Sequence, residues 1–292
     1  MTAVIEDDAA VGAAVALGPE RRNPSVRLSS WRERLGPVVV FGLFIGLWYL
    51  VSAWALEAVF NKPAFLVPPP HEVITESFLS SAKIRNEMLR GLWLSTQVAF
   101  LGLVIAMVLG MTVAVLMSRA RWIERSLFPY AVALQAVPIL AFVPLIGSLL
   151  GFSFTARVLV CVIISLFPII ANTLFGLLSA ESGQHDLFSL HGAGRLKRLT
   201  KLQLPAALPS IFTGFRISAG LSVIGAVVGD FFFRQGEAGI GRLIDVYRSR
   251  ADNPQMFGAV ILAAVLGIVV FWIFGFISRL AVGRWHEATG QS

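Results

Sequence analysis

Charge is what this chain has least of. Asp, Glu, Lys and Arg together make up 14% of its 292 residues, against roughly 25% in a soluble domain. The composition is 56% hydrophobic and the mean hydropathy is +0.76. Apolar surface on that scale needs lipid, not a larger core. Cysteine is nearly missing as well. The single thiol, Cys161, lies inside an apolar run, which excludes a disulfide framework and a cysteine metal site. All four lysines, Lys62, Lys83, Lys197 and Lys201, lack a preceding glycine, so the chain has no Gly-Lys phosphate loop. His71-Glu72 supplies only the first half of an HExxH zinc motif, and the other histidines are scattered, so no metal site is expected. No catalytic pair stands within the apolar runs, which argues against an intramembrane hydrolase. The net charge of +7 is spread through short loops. That pattern fits orientation in a membrane rather than a groove for nucleic acid.

What is present is a series of apolar runs. A spanning helix needs about 20 mostly apolar residues, and six runs qualify: 37–56, 92–117, 127–150, 155–178, 209–233 and 256–282. Backbone groups in lipid must be satisfied within the segment, so the expected fold is an all-α polytopic membrane protein. Pro129, Pro138 and Pro144 in the third run, and Pro168 in the fourth, predict kinks or local unwinding. Residues 1–36 read as a disordered cytoplasmic tail, because their short apolar part follows Glu6, Asp7 and Asp8 and does not suit a secretory signal. Residues 37–283 form the membrane domain and 284–292 a short cytoplasmic tail. Fourteen Lys and Arg residues fall on one side of this topology and nine on the other. The richer side, holding both termini, is assigned to the cytoplasm. Residues 68–91 then face outward, with PPPHEVITESF a proline-led surface helix running into the second span.

Between the fourth and fifth runs stands HGAGRLKRLTKLQLPAALPS, residues 191–210. Gly192 and Gly194 end or bend any helix before them. Leu196, Leu199 and Leu202 share one helical face, and Lys197, Arg198 and Lys201 another, with Arg195 near the border. The segment reads as a short amphipathic helix at the cytoplasmic surface, stopped by Pro205. Two roles fit: a loop held by anionic lipid, or a docking element for a cytoplasmic partner.

The insert resembles the cytoplasmic loop of ABC-importer permeases, written EAA, three residues, G, nine residues, I, one residue, LP. Anchored on Leu204-Pro205, the pattern places Leu202 at the Ile position, Gly192 at the Gly and Asp186 at the Glu. Leu187 and Phe188 replace the two alanines. PAALPSIFTGFRISAG is similar to the start of the fifth helix in permeases for nitrate, sulfonate, taurine and bicarbonate. QAVPILAFVPLI resembles their third span, FLVPPPHEV their entry, and Gly239–Gly241 with Leu243-Ile244 their exterior GLG-x-L-I stretch. The resemblance covers residues 37 to 287. It implies a type I importer fold of six transmembrane helices with a coupling-helix loop, placed in a bacterial inner membrane. It also implies alternating access driven by a separate ABC ATPase subunit, an extracytoplasmic solute-binding protein and a second permease copy in a homodimer. ATP and Mg would be bound by the ATPase, with no cofactor on this chain. Asp186, Leu187, Phe188, Leu190, Gly192, Arg195, Arg198, Leu202, Leu204 and Pro205 would form the docking loop. VVGDFFFRQGEAGIGRLIDVYRSR is similar to permeases for riboflavin or thiamine precursors, which leans the substrate toward a heteroaromatic vitamin or precursor; an organosulfonate is the next reading. An ATP-independent carrier is the competing class, but the midplanes are poor in the charges it would need.

Polar groups inside spans are functional candidates because lipid makes them costly. Asp230 reads equally as a gate or pathway residue and as an interfacial carboxylate paired with Arg234, four residues on. Arg216 is expected to snorkel to the surface, the alternative being a clamp on the loop. Gln135 and Asn172 stand beside kink prolines, where filling freed backbone hydrogen bonds is favoured over substrate contact; Gln135 is retained as a pathway candidate. Phe231, Phe232 and Phe233 read as an aromatic belt, with stacking on an aromatic solute as the minority reading for Phe231. Gly102, Gly110, Gly220, Gly225 and Gly229 are expected to allow close helix approach.

Overall fold

A computed structural model describes residues 26–286 apart from 60, 62, 234 and 235. The chain before residue 26 and after residue 286 lies outside the described residues, and with it most of both expected tails. The described part is built from α1 (Val26–Leu50), α2 (Leu56–Ala58), α3 (Pro70–Ile74), α4 (Ala82–Met117), α5 (Arg121–Ala136), α6 (Ile139–Leu150), α7 (Phe154–Leu178), α8 (Ser182–Leu190), α9 (Arg195–Arg198), α10 (Leu204–Phe232), α11 (Ile240–Ser249) and α12 (Asn253–His286). No strand occurs among the described residues. Five helical stretches are long and apolar enough to cross a membrane, or six if the bent pair α5–α6 counts as one span.

The helices follow the apolar runs but not their edges. Helix α1 begins at Val26, so residues 26–36 are helical where a disordered tail was expected, and Pro37 sits inside the helix. A π-turn, Val51–Ala55, joins α1 to α2. The proline-led helix α3 continues as a π-turn, Thr75–Leu79, but it does not run into α4. Ser81 is extended and caps α4 by accepting from the Ile84 amide (3.5 Å). Of the three prolines in the third run only Pro138 breaks the path. It holds Val137 extended (φ −67°, ψ 127°), and α5 and α6 meet there at 95°. Pro129 and Pro144 are absorbed within their helices.

Helix α7 is the centre of the bundle. Half of its most apolar stretch is buried within the chain, against 6% for α1 and for α12. Its most extensive contacts are with α10 and α4. Small residues let these helices touch. A Cβ at Gly225 would lie 3.0 Å from the Cys161 Cα, and one at Gly214 would lie 3.0 Å from the Pro168 carbonyl oxygen. Gly102 packs against Cys161 and Gly110 against Ile169. Gly220, by contrast, faces open space and makes no such approach. Polar side chains also cross the seam. The Ser218 hydroxyl donates to the Ser165 carbonyl (2.7 Å) and the Ser165 hydroxyl to the Ser218 carbonyl (3.2 Å). The Asn172 amide donates to the carbonyl of Pro168 itself (2.8 Å), one turn on from the carbonyl that the proline frees.

Helix α10 packs on α12 and α11 on its other side, while α5 and α6 lean against α7. Substituting valine at Gly214 is expected to destabilise the bundle by about 1–3 kcal/mol through overpacking, whereas Gly220→Ala should be near neutral. Thermal unfolding of the two variants in detergent distinguishes these outcomes.

Candidate functional site

The segment between α7 and α10 folds as a compact bracket. Helix α8 ends at His191, and Gly192 adopts φ +61°, a backbone state that side chains with a Cβ disfavour. The Gly192 N–H donates to the Ser189 carbonyl (3.0 Å) and the Ala193 N–H to the Phe188 carbonyl (2.9 Å). These two bonds make a Schellman cap, which satisfies carbonyls that a helix end leaves open. Helix α9 follows, and the Arg198 guanidinium donates to the Ser189 hydroxyl (3.0 Å), tying the two arms together.

Pro205 does not stop the amphipathic helix, contrary to expectation. Helix α9 passes through a π-turn, Leu199–Gln203, directly into α10. The wider turn lets the Leu204 N–H bond to the Leu199 carbonyl. Pro205 follows closely on this π-turn, whose widened ladder accommodates a residue with no N–H to donate. The result is one continuous helix, Arg195–Phe232.

The loop residues divide into anchors and surface. Leu199 packs with Leu177, Ala207 and Ile211, with Leu204 half-buried against them. Leu202 is buried too, and Phe188 and Pro205 are half-buried. Leu196 does not share their buried face: it is 68% exposed. Leu187 is 53% and Leu190 85% exposed, and Asp186 and Arg195 are also exposed. The bracket therefore presents three bare leucines and a basic rim on a rigid support.

The far end of α10 carries a buried ion pair. The Asp230 carboxylate receives the Arg157 guanidinium at 3.0 Å, with the two side chains 0% and 3% exposed. Arg157, in the first turn of α7, also donates to the Glu237 carbonyl (3.1 Å). The Ser95 hydroxyl of α4 donates to the second carboxylate oxygen of Asp230 and accepts from the Ile240 N–H (2.8 Å) at the start of α11. Gly239 and Gly241 lie so close to Asp230 that a Cβ at either would collide with it. One carboxylate thus fastens α4, α7, α10 and the α10–α11 linker together.

Asp230 is paired across 73 residues with Arg157. Arg234, its expected partner, lies outside the described residues. Reading the sequence missed Arg157 and Ser95. In the sequence Arg157 reads as one of the nine basic residues on the outer side, although an arginine in the first turn of an apolar run is itself a signal of pairing.

The other pathway candidates stand apart from Asp230. Gln135 is exposed at the end of α5, beside the α5–α6 bend. Phe231 lies under the Arg248 guanidinium (5.6 Å) and edge-on to Phe232 (5.7 Å). Phe233 is not in a surface belt: it is fully buried with Val143, Ile146 and Val160. The linker held by Arg157 also forms one wall of an open cleft of about 900 Å³, which takes in Arg90, Trp93, Gln97, Glu237 and Ala238.

A family profile described as "Binding-protein-dependent transport system inner membrane component" matches residues 102–283. The chain is 30% identical over 222 residues to the formylaminopyrimidine transport permease protein ThiX of Halalkalibacterium halodurans, covering 76% of this chain and 87% of that protein. It is 35% identical over 168 residues to the riboflavin transport system permease protein RibX of Chloroflexus aurantiacus, covering 58% and 62%. More distant similarity reaches permeases named for nitrate, aliphatic sulfonates and bicarbonate. In three dimensions it resembles a chain of the MetNI methionine ABC transporter in an inward-facing conformation, with a TM-score of 0.61 at 18% identity over 69% of this chain and 99% of that one.

Removing one member of the buried pair leaves an uncompensated charge. Asp230→Asn and Arg157→Met should each cost about 3–5 kcal/mol, and the double variant should recover much of that loss. A thermodynamic cycle on thermal unfolding measures the coupling.

Proposed function

The chain belongs to the family of binding-protein-dependent transport inner-membrane components, the permeases of ABC importers, and on that premise we propose that the bracket is the seat through which a separate ATPase drives it. It is a transport subunit rather than an enzyme. The observation that carries the reading is the pairing of exposed Leu187, Leu190 and Leu196 with a support continuous with a spanning helix. Bare leucines on a stiff surface suit a partner's groove. A push on them is not absorbed locally, because the Schellman cap and the Arg198–Ser189 bond brace the arms and α9 runs unbroken into α10.

Helix α10 extends over 29 residues, or about 43 Å at 1.5 Å per residue. Displacement at the bracket therefore reaches Asp230 at the other end. There the ion pair ties α10 to α4, α7 and the linker. We infer alternating access in which ATP and Mg act on the ATPase, two copies of this chain enclose the path, and a binding protein delivers the solute at the α10–α11 end. The basic bias of the loops supports placing the bracket on the cytoplasmic side of an inner membrane, with both termini there.

For the solute, we propose a heteroaromatic vitamin or vitamin precursor. The names of ThiX and RibX support this, as does the similarity of the Asp230 region to such permeases. A sulfonate, nitrate or bicarbonate is the second reading, supported by the further relatives.

Co-expression with the ATPase and binding protein encoded beside this gene tests both parts. Replacing an exposed docking leucine with a charge should cost a docked interface at least about 2 kcal/mol, or roughly a thirtyfold loss of affinity. Leu190→Asp and Gly192→Pro should thus lose the ATPase on tagged purification, while Ile277→Ala, on the peripheral helix α12, retains it. Equal retention by all three would sink the docking role. Calorimetry on the binding protein should show tighter binding of riboflavin or a pyrimidine precursor than of taurine or nitrate, and the reverse order would overturn the substrate assignment.

A further inference from the structure

Arg216 lies within the apolar stretch of α10, twelve residues from Leu204, and is the cation most in need of explanation. Its guanidinium carbon sits 3.9 Å from the centroid of the Phe271 ring on α12. Gly275 makes room for it: a Cβ there would come within 3.5 Å of the guanidinium. Among the described residues no carboxylate and no hydrogen-bond acceptor pairs with Arg216. A charge at that depth needs a counter-ion or a route to the surface. One turn further along the same face of α12 is Arg279, whose Nε donates to the Gly275 carbonyl (3.4 Å). Two guanidinium groups therefore mark the bracket end of the α10–α12 seam.

Beyond them the seam opens into a groove of about 780 Å³ between the two helices. Ile217, Gly220 and Ile224 line one wall, and Gly267, Ile268 and Trp272 the other. Every residue lining it is apolar. Gly220 leaves its wall empty, since a Cβ there would meet nothing within 4 Å.

We propose that this seam binds one anionic phospholipid, with its phosphate on Arg216 and Arg279 and an acyl chain along the groove. Charge complementarity selects this occupant over a helix from a second copy. A packed helix would have to bring an acid to Arg216. Asp230 is the one acidic residue within the six apolar runs of this sequence, and it is already held by Arg157. A lipid supplies the phosphate for guanidinium groups that snorkel toward the surface and the chain where the groove is apolar. Bound there, it would brace α10 against α12 beside the bracket without touching the docking surface.

The test is native mass spectrometry of the full chain, titrated with phosphatidylglycerol or phosphatidylcholine. Two basic groups near a headgroup should favour phosphatidylglycerol by roughly thirtyfold. Arg216→Gln with Arg279→Gln should erase that preference, and the paired lysine variant should keep it. Gly220→Leu projects into open space, so it should fold normally yet lose the bound lipid. Equal binding of both lipids to the wild type, or full retention by folded Gly220→Leu, overturns the proposal. So does efficient cross-linking between copies through cysteines placed at Ile224 and Ile268, which would give the groove to a second copy.

Discussion

The close approach of α7 and α10 is the contact on which the rest of the chain depends. Without a hydrophobic drive between helices in lipid, association rests on packing and interhelical hydrogen bonds. Here glycines at 214 and 225 bring backbone to backbone, and Ser165 and Ser218 exchange hydroxyl-to-carbonyl bonds across the seam. The buried Arg157–Asp230 pair closes the end. Helices α4, α11 and α12 dock on that core, and α1 and α12 stay nearly bare toward lipid.

Under the proposed docking role, the same seam carries a load on the bracket to the far end of the bundle. The continuous helix Arg195–Phe232 begins at the bracket and ends in a carboxylate held from three directions. The π-turn before Pro205 keeps the helix continuous where a proline would otherwise break it, and Pro209 is taken up within the helix. A stiff element fixed firmly at one end and braced at the other is suited to carry motion from a partner to the membrane path. The Ser95–Ile240 bond extends that path to the linker, so the far-side cleft is mechanically joined to the bracket.

Much of this was legible from residue order. The apolar runs located every long helix, because lipid leaves the backbone no other open-chain solution. Gly192 was legible as a helix end, since glycine readily takes the left-handed state that closes a helix. The glycine, leucine and Leu-Pro spacing identified the bracket. The partner of Asp230 was not legible. Local spacing pointed to Arg234, while the carboxylate reaches Arg157 and Ser95, 73 and 135 residues away. Leu196 was placed with Leu199 and Leu202 by periodicity, yet the bracket turns it outward. Phe233 was grouped with its neighbours in a belt, although its ring fills a core pocket against Phe152.

What the sequence determined by itself was the solvent of the protein, the location of its apolar runs and the position of its one conspicuous loop. Each follows from local composition acting on the local backbone. Only the tertiary structure decided which helix lies beside which, and hence which charge is paired and which is left for an outside partner. Arg157 and Arg216 are both arginines in apolar helices. One faces a carboxylate and the other a phenyl ring and a groove, and that difference is set by neighbours brought together across the fold.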